Sequence, residues 1–355
     1  MWERLGYRGI DASVVSRVLN GVRLFTPRQL EVFCEVLALP EREKEKLEYA
    51  LYLDQVKKYG VSLPLSSQIN YDILDLFDSL LDKALDYRLK GKNDDQESIA
   101  NITHTYIQKS LHIVKKASLR KKLLEQLGTV LFLKGNALGA TGLPNVIVDE
   151  AVKIVSQLIT IAKQNKNPVY EAYGNIILAG AYYVAGNYSY SFRAKSLYGR
   201  SINQAQRAFQ LLPDSNHEKL FALRNIIACM IYLRDKQDFI NLKKTALNQL
   251  PQTNPTHFLN GLNLFNIISE GVAIFHLSDP LKIKELASKH FNAGLEGRRI
   301  HEVSEVRSDL EMSIAIKTKD KSYLTTKVER ALQIAKEENY VRHYKHINKL
   351  ASQFF

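Results

Sequence analysis

Two cysteines, one tryptophan and no long apolar run set the first limits on this chain of 355 residues. Cys34 and Cys229 each sit inside an apolar helical pattern, which excludes a disulfide framework and reads as two small buried hydrophobes in a reducing compartment. No apolar stretch approaches the ~20 residues that span a bilayer, so no membrane is expected as a partner. Met1-Trp2-Glu3-Arg4 lacks the basic start and apolar run of a secretion signal, and the expected location is the cytoplasm. Catalytic constellations are missing as well. The nine histidines form no His-Glu-x-x-His pattern, and neither cysteine has a Cys-x-x-Cys partner. His343 and His346 share a helical spacing with no carboxylate at ligand distance in sequence, as on a solvated terminal helix. Gly135-Asn-Ala-Leu-Gly139-Ala-Thr-Gly142 lacks the Lys-Ser/Thr ending of a phosphate loop and reads as a turn between helices. No Gly-x-Ser-x-Gly elbow is present. The expectation is a protein that is not an enzyme and carries no cofactor or metal.

Charge, by contrast, is plentiful and uneven. The formal net charge is +12, which permits a polyanionic partner without establishing one. Residues 1–28 carry five arginines against Glu3 and Asp11, and residues 71–100 carry eight carboxylates against four basic residues. Residues 101–137 reverse the sign, with seven basic residues against Glu125. Within them, Lys115-Lys116-Ala-Ser-Leu-Arg120-Lys121-Lys122 reads as a solvated turn between hairpins.

Apolar residues recur at helical spacing almost everywhere, with no period-2 strand pattern, so the fold class is all-α. Nine prolines, among them Pro27, Pro64, Pro144, Pro168 and Pro213, fall at the breaks between helices. Gly60-Val61-Ser62-Leu63-Pro64 separates a charged helix from a different pattern, which divides the chain into residues 1–62 and 63–355.

In the longer part the helices come in pairs, and the first member of each pair carries a signature. Its best instance is Ala179, Tyr182, Gly186 and Tyr188. The small residue admits a neighbouring helix, the aromatic fills the gap beside it, the glycine ends the helix and the last aromatic anchors the turn. Gly128, Leu131, Gly135 and Ala137 repeat the spacing, and Ala228, Ala273 and Ala315 continue the small positions at intervals of 51, 49, 45 and 42 residues from Gly128 onward. This resembles the tetratricopeptide repeat, whose usual period is ~34 residues. The resemblance implies a right-handed α-solenoid of helical hairpins, each burying its apolar face only on its neighbours, with a concave surface.

The shorter part holds the sharpest motif, Asp11-Ala12-Ser13-Val14-Val15-Ser16-Arg17-Val18-Leu19-Asn20-Gly21. Asp11 is a good N-cap. Val14, Val15, Val18 and Leu19 make an apolar stripe, small polar residues and Arg17 occupy the other face, and Gly21 terminates the helix. Small side chains permit close approach to a major groove, and arginine reads guanine or holds phosphate. Thr26-Pro27 then opens a helix with Leu30, Val32, Phe33, Val36, Leu37 and Leu39 as its buried face. A charged helix follows from Glu41, with Leu47, Leu51 and Leu53 packing on the domain.

These elements resemble the lambda-repressor/Cro-type helix-turn-helix family. The resemblance implies that Ala12, Ser13, Ser16 and Arg17 read bases and that Asn20 and Arg23 hold the phosphate backbone of double-stranded DNA. That family places a helix before this point, whereas only Met1 to Leu5 precede Gly6, so an incomplete domain with its first helix missing is expected. A helix-turn-helix followed by tetratricopeptide-like repeats resembles the RRNPP group of quorum-sensing regulators. That domain order implies a homodimer whose repeats hold a short signalling peptide, or a protein ligand, in the concave groove. Asn175, Asn225 and Asn266 lie a few residues before Ala179, Ala228 and Ala273, where their amides would clamp an extended peptide backbone. Tyr182 and Arg224 are further groove residues. The contrasting reading is a non-catalytic repeat scaffold whose N-terminal helices only cap the array.

Overall fold

The computed structural model describes residues 20, 24–25, 27–58, 71–89, 92–141, 146–216, 218–249, 258–277, 282–283, 299–317, 321–337 and 340–355. Ala12, Ser13, Ser16, Arg17 and Arg23, and the boundary at residues 60–64, lie outside them. Among the described residues there are fourteen helices and no strand. They are α1 (Pro27–Val36), α2 (Glu41–Lys58), α3 (Tyr71–Leu89), α4 (Asn93–Ile113), α5 (Ala117–Thr141), α6 (Ile147–Asn165) and α7 (Pro168–Asn187). The remainder are α8 (Ser191–Leu211), α9 (Glu218–Leu233), α10 (Lys236–Gln249), α11 (Phe258–Ile274), α12 (Arg299–Ala315), α13 (Ser322–Glu337) and α14 (Val341–Phe354).

From α3 onward, helices pack in neighbouring pairs. The helices α3, α5, α7, α9, α11, α12 and α14 also pack on one another in that order. We call these seven the inner helices. The chain enters them through ordinary local chemistry. At the start of α7, Asn167 accepts from the Val169 amide at 3.0 Å, and Pro168 follows where a missing N–H costs nothing. Pro27 opens α1 in the same way. Several ends are less orthodox. Lys166, Arg234, His276 and Lys317 take left-handed φ values of 51°, 61°, 49° and 53° at the ends of α6, α9, α11 and α12. Glycine is the residue that adopts this conformation without strain.

Close approach of the inner helices depends on missing side chains. A Cβ on Gly128 would overlap the Tyr170 ring, and one on Gly135 would overlap Ile177. Gly135 therefore does not end its helix: α5 continues to Thr141, and Gly135 and Gly139 are interior positions, not a turn. Glycine inside a helix costs about 1 kcal/mol of helix propensity, and at position 135 it admits the Ile177 side chain of α7 against α5. Near Ala179 the packing differs from the sequence expectation by one residue. Tyr183, not Tyr182, is buried there, and the Tyr198 ring of α8 fills the space left by Gly186. A step of one residue rotates a side chain by about 100° around a helix, which takes Tyr182 off the packed face.

One apolar cluster runs from Leu74 of α3 to Ile283, with Phe77, Phe239 and Phe265 among its fully buried side chains. A second gathers Val303, Leu310, Leu324, Tyr340, Ile347 and Leu350 of α12 to α14, together with Val32 of α1. Of the apolar face expected for α1, Leu30 and Val32 are buried, Val32 against the C-terminal cluster, and Val36 and Leu37 are exposed. Leu47 of α2 is 37% exposed. Helix α14 is not a solvated terminus either, because it buries His343, Tyr344, Ile347 and Leu350. Cys34 and Cys229 are both buried, and burial pushes the Cys229 thiol up to about 12. The run from Lys115 to Lys122 is exposed except for Leu119, with Lys115 and Lys116 in the connection and Arg120 to Lys122 at the start of α5. Among the described residues, no helix is long and apolar enough to cross a membrane.

Candidate functional site

The inner helices carry a seam of polar groups through an otherwise apolar interior. Ala222 to Ile231 of α9 are all buried, and so are Leu264 to Ala273 of α11. Helices without an exposed stripe belong to the middle of a protein, so every polar residue in them needs a partner. Arg224 donates from Nη1 to Asn225 Oδ1 at 2.9 Å and lies 5.2 Å from the centre of the Tyr183 ring of α7. Glu270 of α11 pairs with Arg307 of α12 at 2.8 Å. Both side chains are about 6% exposed, so the pair is shielded from salt and solvent. Burial alone would lower the Arg307 pKa, but the Glu270 carboxylate overrides it and holds the guanidinium charged.

The seam continues to α14 through Glu311, whose carboxylate meets His346 Nε2 at 2.9 Å. Burial works against the ionised carboxyl, but the hydrogen bond and charge of His346 hold it below the usual range. The carboxylate that His346 lacks in its own sequence neighbourhood thus comes from 35 residues upstream. Among the described residues, no three His, Cys, Asp or Glu side chains group as a metal site.

A separate polar centre ties the first inner helix to the fourth. Arg88 of α3 forms a two-pronged pair with Glu218 at the start of α9, one arm at 2.8 Å, and donates from Nε to Asn136 Oδ1 of α5 at 3.0 Å. Its guanidinium lies 5.1 Å from the Phe132 ring centre, and Phe132 stacks on Tyr173 at 4.1 Å. Burial raises the Tyr173 pKa. Arg88 and Glu218 are 130 residues apart, and no spacing rule would connect them.

The sequence-derived ligand residues fall into two places. Asn175, Arg224, Asn225 and Asn266 are all buried, on the successive inner helices α7, α9 and α11. The Nδ2 atoms of all three asparagines and Arg224 Nε have no hydrogen-bond partner among the described residues. Buried polar atoms of native proteins are nearly always paired, so four unpaired donors on adjacent helices are a concentration of unmet hydrogen bonding. Tyr182 lies elsewhere, in a cleft with Arg200 of α8. Sequence reasoning missed Tyr183, Glu218, Glu270, Arg307 and Glu311, because each is identified by a partner on another helix. Of the residues expected to touch DNA, only Asn20 is described, and it is exposed.

A second cleft, of about 480 Å³, is lined by Glu97, His104, Lys134, Glu150 and Gln157 of α4 to α6, with Glu31 of α1 at its edge. Burial and the neighbouring Lys134 charge lower the His104 pKa to about 4, and a hydrogen bond with Gln157 opposes them. The ring is therefore neutral near pH 7.

No protein-family model matches the sequence, and comparison with curated proteins and with solved structures returns no match.

Proposed function

We propose that this chain is a dimeric, cytoplasmic DNA-binding regulator. Residues 11–21 are its reading helix, and its inner helices form a tetratricopeptide-like array that senses a peptide. The observation that carries the sensing half is the set of unpaired donors at Asn175, Arg224, Asn225 and Asn266. Each buried donor left without an acceptor costs about 1–3 kcal/mol. An extended peptide offers a carbonyl at every residue and relieves that cost on three helices at once. Because these donors are buried, the peptide enters only as α7, α9 and α11 part, so ligand binding and the curvature of the array are coupled. The reading of DNA rests on the sequence: Arg17 on a helix of small residues, with Asn20 and Arg23 beside it.

Two experiments test the halves separately. Selection of the full chain against random duplex DNA is expected to enrich a palindrome that Arg17→Ala no longer enriches. Enrichment of nothing sinks the DNA reading. Panning of a random peptide library is expected to yield binders that Asn225→Ala loses by tenfold or more. Binders indifferent to Asn225 remove the clamp.

A second reading has one observation in its favour. Val32 of α1 packs into the C-terminal apolar cluster, as an N-terminal segment that caps a protein-binding scaffold would do. Salt-insensitive binding of a protein partner without DNA affinity would support that reading, since displacement of counterions makes DNA binding steeply salt-dependent.

A further inference from the structure

The cleft that holds Tyr182 has a chemistry of its own. It lies among the start of α6, the end of α7, the first half of α8 and the last helix, α14, with a volume of about 680 Å³. That size accommodates a small organic ligand. Three cations line it: Arg193 and Arg200 of α8, and Lys345 of α14. The two arginines are seven residues apart, which places them on one face of α8 two turns from each other, with Ser196 between. The Arg200 guanidinium lies 5.9 Å from the centre of the Tyr182 ring, and Lys345 Nζ lies 5.8 Å from that of Tyr188. These ring contacts hold both side chains without neutralising them.

Among the described residues none of the three cations has an ion-pair partner, although elsewhere α8 supplies one, between Arg207 and Glu171. Among the described residues Asp149 is the one carboxylate on the cleft wall, so the described lining carries a net charge of +2. Three like charges converging on one concave space, with the Ser196 and Tyr182 hydroxyls beside them, match an oxyanion. Guanidinium forks bind phosphate and carboxylate with paired hydrogen bonds, and an ammonium adds a point charge.

We infer that this cleft binds a small anionic ligand, phosphate- or carboxylate-bearing, through Arg193, Arg200 and Lys345. Its occupation ties α14 to the α7–α8 hairpin. The site is distinct from the buried asparagines, and its ligand need not be the peptide. Because Lys345 is adjacent to His346, which Glu311 holds, an anion here bears directly on the end of the polar seam.

The test is thermal unfolding of the full chain against rising inorganic phosphate, and separately against citrate, with chloride keeping ionic strength constant. A ligand that binds only the folded state raises the midpoint in a saturable way. Saturable stabilisation is expected, with its half-saturating concentration raised at least tenfold in Arg200→Gln and in Lys345→Gln. Arg193→Gln changes an exposed residue with no ion pair among the described residues, which is expected to leave the fold intact, so it reports on binding even where the other two variants unfold. Comparison of the phosphate and citrate arms shows which oxyanion the cleft prefers. A rise that never saturates, or that is equal in wild type and Arg193→Gln, is general salt stabilisation and overturns the site.

Discussion

Helices α8 and α9 are neighbours in sequence and in space, yet they are built on opposite plans. The buried positions of α8 are Ala194, Tyr198, Ser201, Ile202, Ala205 and Ala208. That is one stripe of helical period, with charge on the other side. In α9 every residue from Ala222 to Ile231 is buried, including Arg224 and Asn225. The outer helix has an apolar stripe that is enough to orient it, with Ser201 adding a hydrogen bond to the Ala179 carbonyl of α7. The inner helix is apolar on all sides, so hydrophobicity cannot orient it, and its few polar groups do so instead. Glu218 at its first turn accepts Arg88, and Arg224 lies over Tyr183. The difference shows which helices of this protein are placed by burial and which by pairing.

The largest expected effect comes from breaking a buried pair on the inner side. Glu218→Gln leaves the Arg88 charge uncompensated, and a loss of about 3–5 kcal/mol in chemical denaturation is expected. Replacing both residues together, as Arg88→Met with Glu218→Leu, should recover most of it. If the single variant is as stable as wild type, pairing does not place α9.

Filling the contact between α5 and α7 is expected to cost about 1–3 kcal/mol, because Gly135→Val drives a side chain into Ile177. On the outer helix the same kind of change should reverse sign. A Cβ on Gly199 of α8 meets nothing within 4 Å, so Gly199→Ala is expected to gain about 0.5–1 kcal/mol of helix stability. Equal effects at the two glycines would erase the distinction between inner and outer helices.

Acidification probes the outer helix α4 without a mutation. His104 has a folded pKa of about 4 against an ordinary value of 6.5. Below pH 6.5 the unfolded chain gains a proton that the folded one does not. Stability from this group is therefore full above pH 6.5 and declines as the pH falls toward 4. His104→Gln should flatten that part of the stability profile measured between pH 7 and pH 4. An unchanged profile would show that the ring is not held neutral.

The smallest effect is expected on the surface. Arg330 and Glu302 meet at 2.8 Å but are 69% and 40% exposed, so Arg330→Ala should change stability by no more than about 1 kcal/mol. A loss comparable to that of Glu218→Gln would contradict the contrast drawn between the two kinds of pair.

The helical class, the pairing of helices and the small positions at Gly128, Ala179, Ala228 and Ala273 were legible in the sequence, because each depends on local periodicity or residue size. Helix ends were less so. Lys166, Arg234, His276 and Lys317 end helices in a conformation for which glycine is the usual sign, and Gly135 has the look of an end while lying inside a helix. Asn175, Asn225 and Asn266 were legible as recurring polar positions, but not as buried ones. The spacing that marked Tyr182 missed Tyr183 beside it, since one residue decides which face of α7 a ring occupies.

The amino-acid sequence by itself determined that the chain is helical, where most helices run and which of their faces are apolar. These properties follow from the preferences of residues and their near neighbours along the chain. Tertiary structure alone decided that Arg88 meets Glu218, that Glu270 meets Arg307, and that Lys345 joins two arginines of α8 at one cleft. The partners lie 130, 37 and about 150 residues apart in sequence. Their pairing comes from the stacking of the inner helices, which no local rule encodes.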